Sequence, residues 1–218
     1  MKFIGHLDIM RYFQKVMRRA EIDICYSEGF SPHQKMSFAS PLGVGLLSKG
    51  EYFDIDVNST ASTEEALNAL NKVMVEGMEV TGYRLLPDNA KNCMAAIAAA
   101  DYVAHFRDAT FQFQDETLEN YLSQNEIRII KKTKKSEKEI DIKPFIYELK
   151  SCEDGLFMKV ASGSANNLKP ELVLESLCDF TEISVPGIVY ERLEMYADIG
   201  DEKQPNLVSL ESLGDIIE

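Results

Sequence analysis

Apolar residues recur at helical spacing from Leu7 to Ala20, where Ile9, Met10, Phe13, Val16, Met17 and Ala20 form one face. Arg11, Lys15, Arg18 and Arg19 fall on the other side of the same predicted helix. The remnant of a strand, Lys2 to Gly5, precedes it. Met36 to Ser40 reads as a short strand. Glu51 to Val57 alternates, with Phe53, Ile55 and Val57 on one side and Asp54 and Asp56 on the other. Ser62-Thr63-Glu64-Glu65 is a capping box that opens a second helix. Met78 to Leu86 reads as a strand ended by Pro87. This order, β-α-β-β-α-β, is the ferredoxin-like unit.

The pattern then repeats. Asn89 to Ala99 is alanine-rich and predicts a linking helix, followed by a strand from Asp101 to Arg107. Asp115 to Gln124 predicts a helix with Leu118, Tyr121 and Leu122 inward. Ile127 to Ile130 starts a strand that enters a basic loop. Phe145 to Leu149 and Leu156 to Val160 pair as a hairpin across Glu153-Asp154-Gly155. Pro170 suits the first turn of a helix reaching Asp179. Ile188 to Met195 is a last strand. The expected fold is α+β: two tandem ferredoxin-like (βαββαβ) units with antiparallel sheets. Their bounds are 1–88 and 89–197, and 198–218 is read as a mobile acidic tail with a short helix at Leu207 to Leu213.

Composition narrows the class. The chain has 218 residues, 45% hydrophobic, too apolar for disorder. No apolar run reaches the length of a membrane span, and Met1-Lys2 leads at once into a mixed polar helix, not a signal peptide. Cys25, Cys93, Cys152 and Cys178 are scattered and form no CxxC pair. That pattern suits reduced thiols in a cytoplasmic protein and excludes a cysteine cluster site built from local spacing. Net charge is −13, but residues 1–50 hold seven Lys/Arg against four acids, a net +3, so the remaining 168 residues carry −16. General coating of nucleic acid is disfavoured; a local phosphate site is not.

Chemistry concentrates between Tyr26 and Gly50. Gly29, Pro32, Pro41, Gly43 and Gly45 punctuate this stretch. Tyr26, His33, Lys35 and Ser40 stand between the turns. His6 and Asp8 lie at the start of the preceding helix. Two histidines and a carboxylate could hold a metal or serve as acid and base. The sparse spacing fits better an Asp cap and a histidine that fixes the loop, so no metal and no cofactor are expected. No nucleophile elbow and no nucleotide-binding glycine fingerprint is present. A second basic run, Arg128 to Lys138, has no aromatic beside it and reads either as a solvated loop or as a phosphate or acidic-partner contact.

The same stretch resembles a bacterial family of uncharacterised radical-SAM-linked proteins. The residues that carry the resemblance are Gly5-His6-Leu7-Asp8, Arg18-Arg19-Ala20, Tyr26-Ser27, Gly29-Phe30, Pro32-His33, Lys35, Ser37-Phe38, Pro41-Leu42, and Glu51-Tyr52 with Asp54. Gln34 stands where the family has proline. The family also has several strand residues before the HLD motif, so the first strand is expected to be shortened here. The resemblance implies an accessory partner of a radical SAM protein, since this chain lacks that enzyme's three-cysteine motif. Tandem ferredoxin-like units are also similar in outline to CRISPR repeat-processing endoribonucleases.

Three functions follow as expectations. The first is an accessory module that binds RNA or presents it for modification. The second is a small RNA-processing enzyme using His6, His33 and Lys35. The third is a protein-interaction module acting through its acidic surface. The expected binding surface joins His6, Asp8, Tyr26, His33 and Lys35, with Arg11, Lys15, Arg18 and Arg19 at its edge, around a phosphate at the helix N-terminus.

Overall fold

The structure is a computed structural model and describes residues 3–108, 110–132, 137–153, 155–184, 187–201 and 204–218. The fold is α+β and divides into two compact units. Unit one comprises Met1–Val44, Glu51–Ile97 and Tyr196–Glu218; unit two comprises Gly45–Gly50 and Ala98–Met195.

Unit one begins with α1 (His6–Arg19), whose apolar face buries Val16 and Met17. Its end is closed by a left-handed residue, Glu21, and by a bond from the Ile22 amide to the Met17 carbonyl. Strands β1 (Met36–Phe38) and β3 (Phe53–Ile55) pair antiparallel, with Met36 opposite Ile55. Helix α2 (Thr63–Val73) starts at the expected capping box on Ser62. Val16, Met17, Ile24 and Leu70 form the core, with Phe13, Met36, Phe53 and Val73 packed around them.

Two elements of this unit differ from expectation. Met78 to Leu86 forms no ladder strand. Val80 bonds both ways to the Asn71 side-chain amide at 2.8 Å, and Leu85 makes an isolated bridge to Asp215. Side-chain and single-residue partners satisfy a backbone that β-propensity marked for a sheet. Residues 3–5 are not a strand either, and residues 1–2 lie outside the described ones. The acidic C-terminal stretch is packed, not loose. Strand β10 (Leu207–Ser209) pairs with Tyr196–Asp198, a short 3₁₀ turn covers Leu210–Leu213, and the Thr63 amide bonds to the Ile217 carbonyl.

The expected linking helix shrinks to α3 (Cys93–Ala96). The alanines after it enter β4 (Ile97–His105), where Ala99, Ala100 and Ala104 are completely buried. A central strand covered on both faces overrides the helical preference of alanine.

In unit two, β4 leads to α4 (Asp115–Ser123), then to the hairpin of β5 (Arg128–Lys132) and β6 (Glu137–Asp141). Next come β7 (Ile146–Cys152), β8 (Gly155–Ala161), α5 (Pro170–Thr181) and β9 (Val189–Asp198). The main sheet has the order β9-β4-β8-β7. Tyr102 pairs with Met158 and Ala104 with Leu156 in the antiparallel β4–β8 ladder. The short β2 (Leu47–Ser48) lies parallel to β9, with Leu47 beside Glu191. Lys134 and Lys135 of the second basic run lie outside the described residues.

Candidate nucleic-acid interface

Three backbone hydrogen bonds form a closed ring in unit one. The Cys25 amide donates to Asp56 O at 2.7 Å, the Asp56 amide to Lys35 O at 3.2 Å, and the Lys35 amide to Cys25 O at 2.9 Å. Three short antiparallel arms leave this ring: Ile24 with Val57, Tyr26 with Gln34, and β1 with β3. The Lys35 ammonium lies 3.3 Å from the Asp56 carboxylate, across the same junction. The punctuated stretch therefore shapes backbone before it offers side chains.

The Tyr26–Gln34 arm is a hairpin with an exposed tip. Gly29 has φ +106°, a conformation that other residues rarely adopt. Ser27 holds His33 twice: its hydroxyl lies 2.8 Å from His33 Nδ1 and accepts the His33 amide at 3.1 Å. His33 is exposed and Tyr26 half exposed, and Phe30 is completely exposed at the turn. Gln34 is buried; its Nε2 donates to the Tyr26 hydroxyl at 3.4 Å, and its Oε1 has no partner.

His6 and Asp8 lie elsewhere. The His6 ring packs edge-on against Phe38, with centroids 5.4 Å apart, and Phe38 stacks on Phe53. Gln34 and Phe38 lie four residue steps apart, about 13 Å if fully extended. His6 thus sits at the β1–β3 end of unit one, whereas Tyr26 and His33 belong to the opposite arm. Among the described residues, no hydrogen bond or ion pair joins His6 or Asp8 to His33 or Lys35; His33 is held by Ser27 and Lys35 by Asp56. Asp8 instead lies 3.5 Å from Arg11 on the helix surface.

The rest of the basic stripe is open. Lys15, Arg18 and Arg19 are exposed, and among the described residues none has a carboxylate within 4.0 Å. Arg18 and Arg19 occupy the last turn of α1, six and five residues before Ile24, where the hairpin's junction begins. From Cys25 to Phe30 the chain can reach at most about 17 Å. The basic end of α1 thus leads directly into the arm that carries Tyr26, Phe30 and His33.

Other motif residues support the backbone. The Asp54 carboxylate accepts the Cys93 amide at 2.6 Å, and the Cys93 thiol donates to Ser37 O at 3.1 Å. Burial, and then the Asp54 charge, push this thiol up to about 12. The Tyr52 hydroxyl lies 3.3 Å from Ser209 Oγ.

One charged cluster in unit two went unread in the sequence. Glu191 Oε2 lies 3.1 Å from His105 Nε2 and 3.4 Å from Lys49 Nζ. Its members come from three distant strands or loops, and no spacing signals it. Among the described residues, no group of three or more His, Cys, Asp or Glu could hold a metal ion. Among the described residues, no helix is long and apolar enough to cross a membrane.

No curated protein and no solved structure matches the chain. Residues 1–170 match a family model described as an uncharacterized protein conserved in bacteria, DUF2344. That span covers more than half of the 218 residues, including the junction, the hairpin arm and the basic helix, and the chain belongs to the DUF2344 family.

Proposed function

We propose that this protein is a cytoplasmic accessory module of a radical SAM system and that it binds unpaired RNA at the hairpin end of unit one. The observation that carries the RNA reading is the exposed Phe30, presented with Tyr26 and His33 on a braced hairpin that follows a helix whose Lys15, Arg18 and Arg19 have no carboxylate within 4.0 Å among the described residues. Proteins that hold single strands combine such cations with aromatic faces on which bases stack. The radical SAM link rests on the HLD and YSxGFxPH motifs and their resemblance. None of the four cysteines is joined in a disulfide, as reduced cytoplasmic thiols would be.

The order β9-β4-β8-β7 supports reading unit two as a ferredoxin-like βαββαβ unit with the β5–β6 hairpin inserted. Unit one keeps the helix–hairpin–helix middle of such a unit. The separate partners of His6 (Phe38), His33 (Ser27) and Lys35 (Asp56) give no support to a small enzyme built on these three residues.

Fluorescence anisotropy with a labelled, unstructured RNA tests the proposal. Binding should weaken steeply between 50 and 200 mM salt. Replacing Lys15, Arg18 and Arg19 by alanine should lower affinity and reduce the salt slope by about 2, at about 0.7 per lost phosphate contact on a single strand. No binding by the unaltered protein at low salt would overturn the reading.

A further inference from the structure

Unit two contains a groove that the RNA reading does not use. It measures about 490 Å³ and is lined by residues of α4, β5 and α5. Ile130 and Phe180 line it and stay exposed, at 61% and 43%. Tyr121 also lines it. This side chain is completely buried; among the described residues its hydroxyl meets no partner in good hydrogen-bond geometry, and Ser176 is the polar side chain beside it. A buried hydroxyl left short of a full hydrogen bond gives up its hydration with little return from the chain.

The groove's rim is acidic. Glu171, Glu175 and Asp179 recur every four residues and share one face of α5. Glu175 and Asp179 line the groove, and among the described residues neither has a cation within 4.0 Å. Arg128, the cation that lines it, is already tied to Glu126 at 2.5 Å and Glu139 at 3.0 Å. On the neighbouring strand, burial and then Glu171 and Glu175 push the Tyr190 hydroxyl upward, a further sign of negative potential along this helix.

Apolar lining and carboxylates that meet no cation among the described residues together select the occupant. An anion would meet repulsion from Glu175 and Asp179. A small hydrophilic cation would leave Ile130 and Phe180 wet. A helix with one apolar face and flanking Lys or Arg satisfies both. We propose that this groove docks a basic amphipathic peptide segment of a partner protein.

The test uses the full chain and a labelled Leu/Lys peptide with helical apolar periodicity. A scrambled peptide of the same composition and a Leu/Glu peptide of the same periodicity serve as controls. Anisotropy should show binding of the Leu/Lys peptide at least tenfold tighter than of either control. The E175Q/D179N variant should weaken it about tenfold, and so should I130S/F180S. Removing two charges elsewhere, in E76Q/E79Q, should change it less than twofold. Circular dichroism checks that each variant folds. Equal binding of the scrambled peptide, or equal weakening by E76Q/E79Q, would overturn the proposal, because the attraction would be to the protein's net charge alone. Sedimentation adds the remaining outcome. A concentration-dependent dimer of the unaltered chain that E175Q/D179N abolishes would assign the groove to a second copy, against a separate partner.

Discussion

The hairpin end of unit one and the α4–α5 groove of unit two present aromatic side chains in opposite ways. Unit one pushes Phe30 into solvent on an arm held by backbone hydrogen bonds. Unit two buries Tyr121 beneath a groove made by packed elements. The neighbouring charge is also opposite: Lys15, Arg18 and Arg19 in one case, Glu175 and Asp179 in the other. An acidic protein can therefore carry a local cationic surface while most of its negative charge stays available for a different partner. The first surface depends on turn geometry and the second on packing, so they should fail differently.

Two glycines give the largest contrast. At Gly155, φ is +148° and an added Cβ would lie 2.0 Å from the Ala104 carbonyl oxygen. Gly155→Ala combines backbone strain with a backbone clash and should cost about 3–4 kcal/mol, unfolding the sheet beneath the groove. At Gly29 φ is +106°, but nothing lies within 4 Å of the added atom. Gly29→Ala should cost no more than about 2 kcal/mol of strain. Urea denaturation measures both. Equal losses would mean that the hairpin is packed against something and is not a free-standing arm.

Alkaline pH probes how unit one is braced. The Cys93 thiol is raised to about 12 from an ordinary 9.0. The folded state therefore holds this proton more tightly than the unfolded state. Its contribution is fully present below pH 9 and is lost as pH rises from 9 toward 12, by about 1.4 kcal/mol per unit. Cys93→Ser keeps a donor for Ser37 O and removes the titration. The difference in stability between the two proteins should narrow by about 2–3 kcal/mol from pH 9 to pH 11. A constant difference would show that the thiol is not held protonated by its surroundings.

Phe30→Ala should leave the melting temperature unchanged, since the ring touches solvent only. It should weaken RNA binding by about 1–3 kcal/mol if a base stacks on it. The same substitution should not alter peptide binding in unit two. An RNA affinity indifferent to Phe30 but sensitive to the cations would reduce the hairpin to an electrostatic contact.

Much of this arrangement could be read from local pattern. The amphipathic α1, the Ser62 box, the β7–β8 hairpin and the Pro170 start of α5 each announce themselves within a few residues. The punctuated stretch was recognisable as special, and Gly29 and Gly45 do take the positive φ of turns. Its layout was not readable, because whether the chain returns to the helix start depends on the pairing of Cys25, Lys35 and Asp56, residues with no individual signal for it. Ala98 and Ala99 misled because burial, invisible in one sequence, turned the end of a helix-forming run into a central strand. Met78 to Leu86 misled because Asn71 and Asp215 substitute for a ladder. The α4–α5 groove gathers residues from 121 to 180, and its buried hydroxyl cannot be inferred from any spacing.

Tyr121→Phe is the smallest and most direct check of that hydroxyl. Burial raises the Tyr121 phenol, and the nearby Ser176 side chain opposes this only in part. If the hydroxyl is unpaired, removing it leaves the ring, its packing on Phe180 with centroids 5.6 Å apart, and nothing unsatisfied behind. Stability should then stay the same or rise by up to about 1 kcal/mol, because a desolvated group is deleted without losing a bond. If Ser176 bonds it in solution, the change should instead cost about 1 kcal/mol, and Ser176→Ala should cost the same without adding to it. The peptide distinguishes a groove that uses the hydroxyl from one that merely covers it. A segment that hydrogen-bonds Tyr121 should lose about threefold to tenfold in affinity for Tyr121→Phe, equivalent to the net worth of one hydrogen bond. A segment that binds through Ile130, Phe180 and the carboxylates alone should bind both proteins equally, which would keep the acidic rim and discard Tyr121 as a contact.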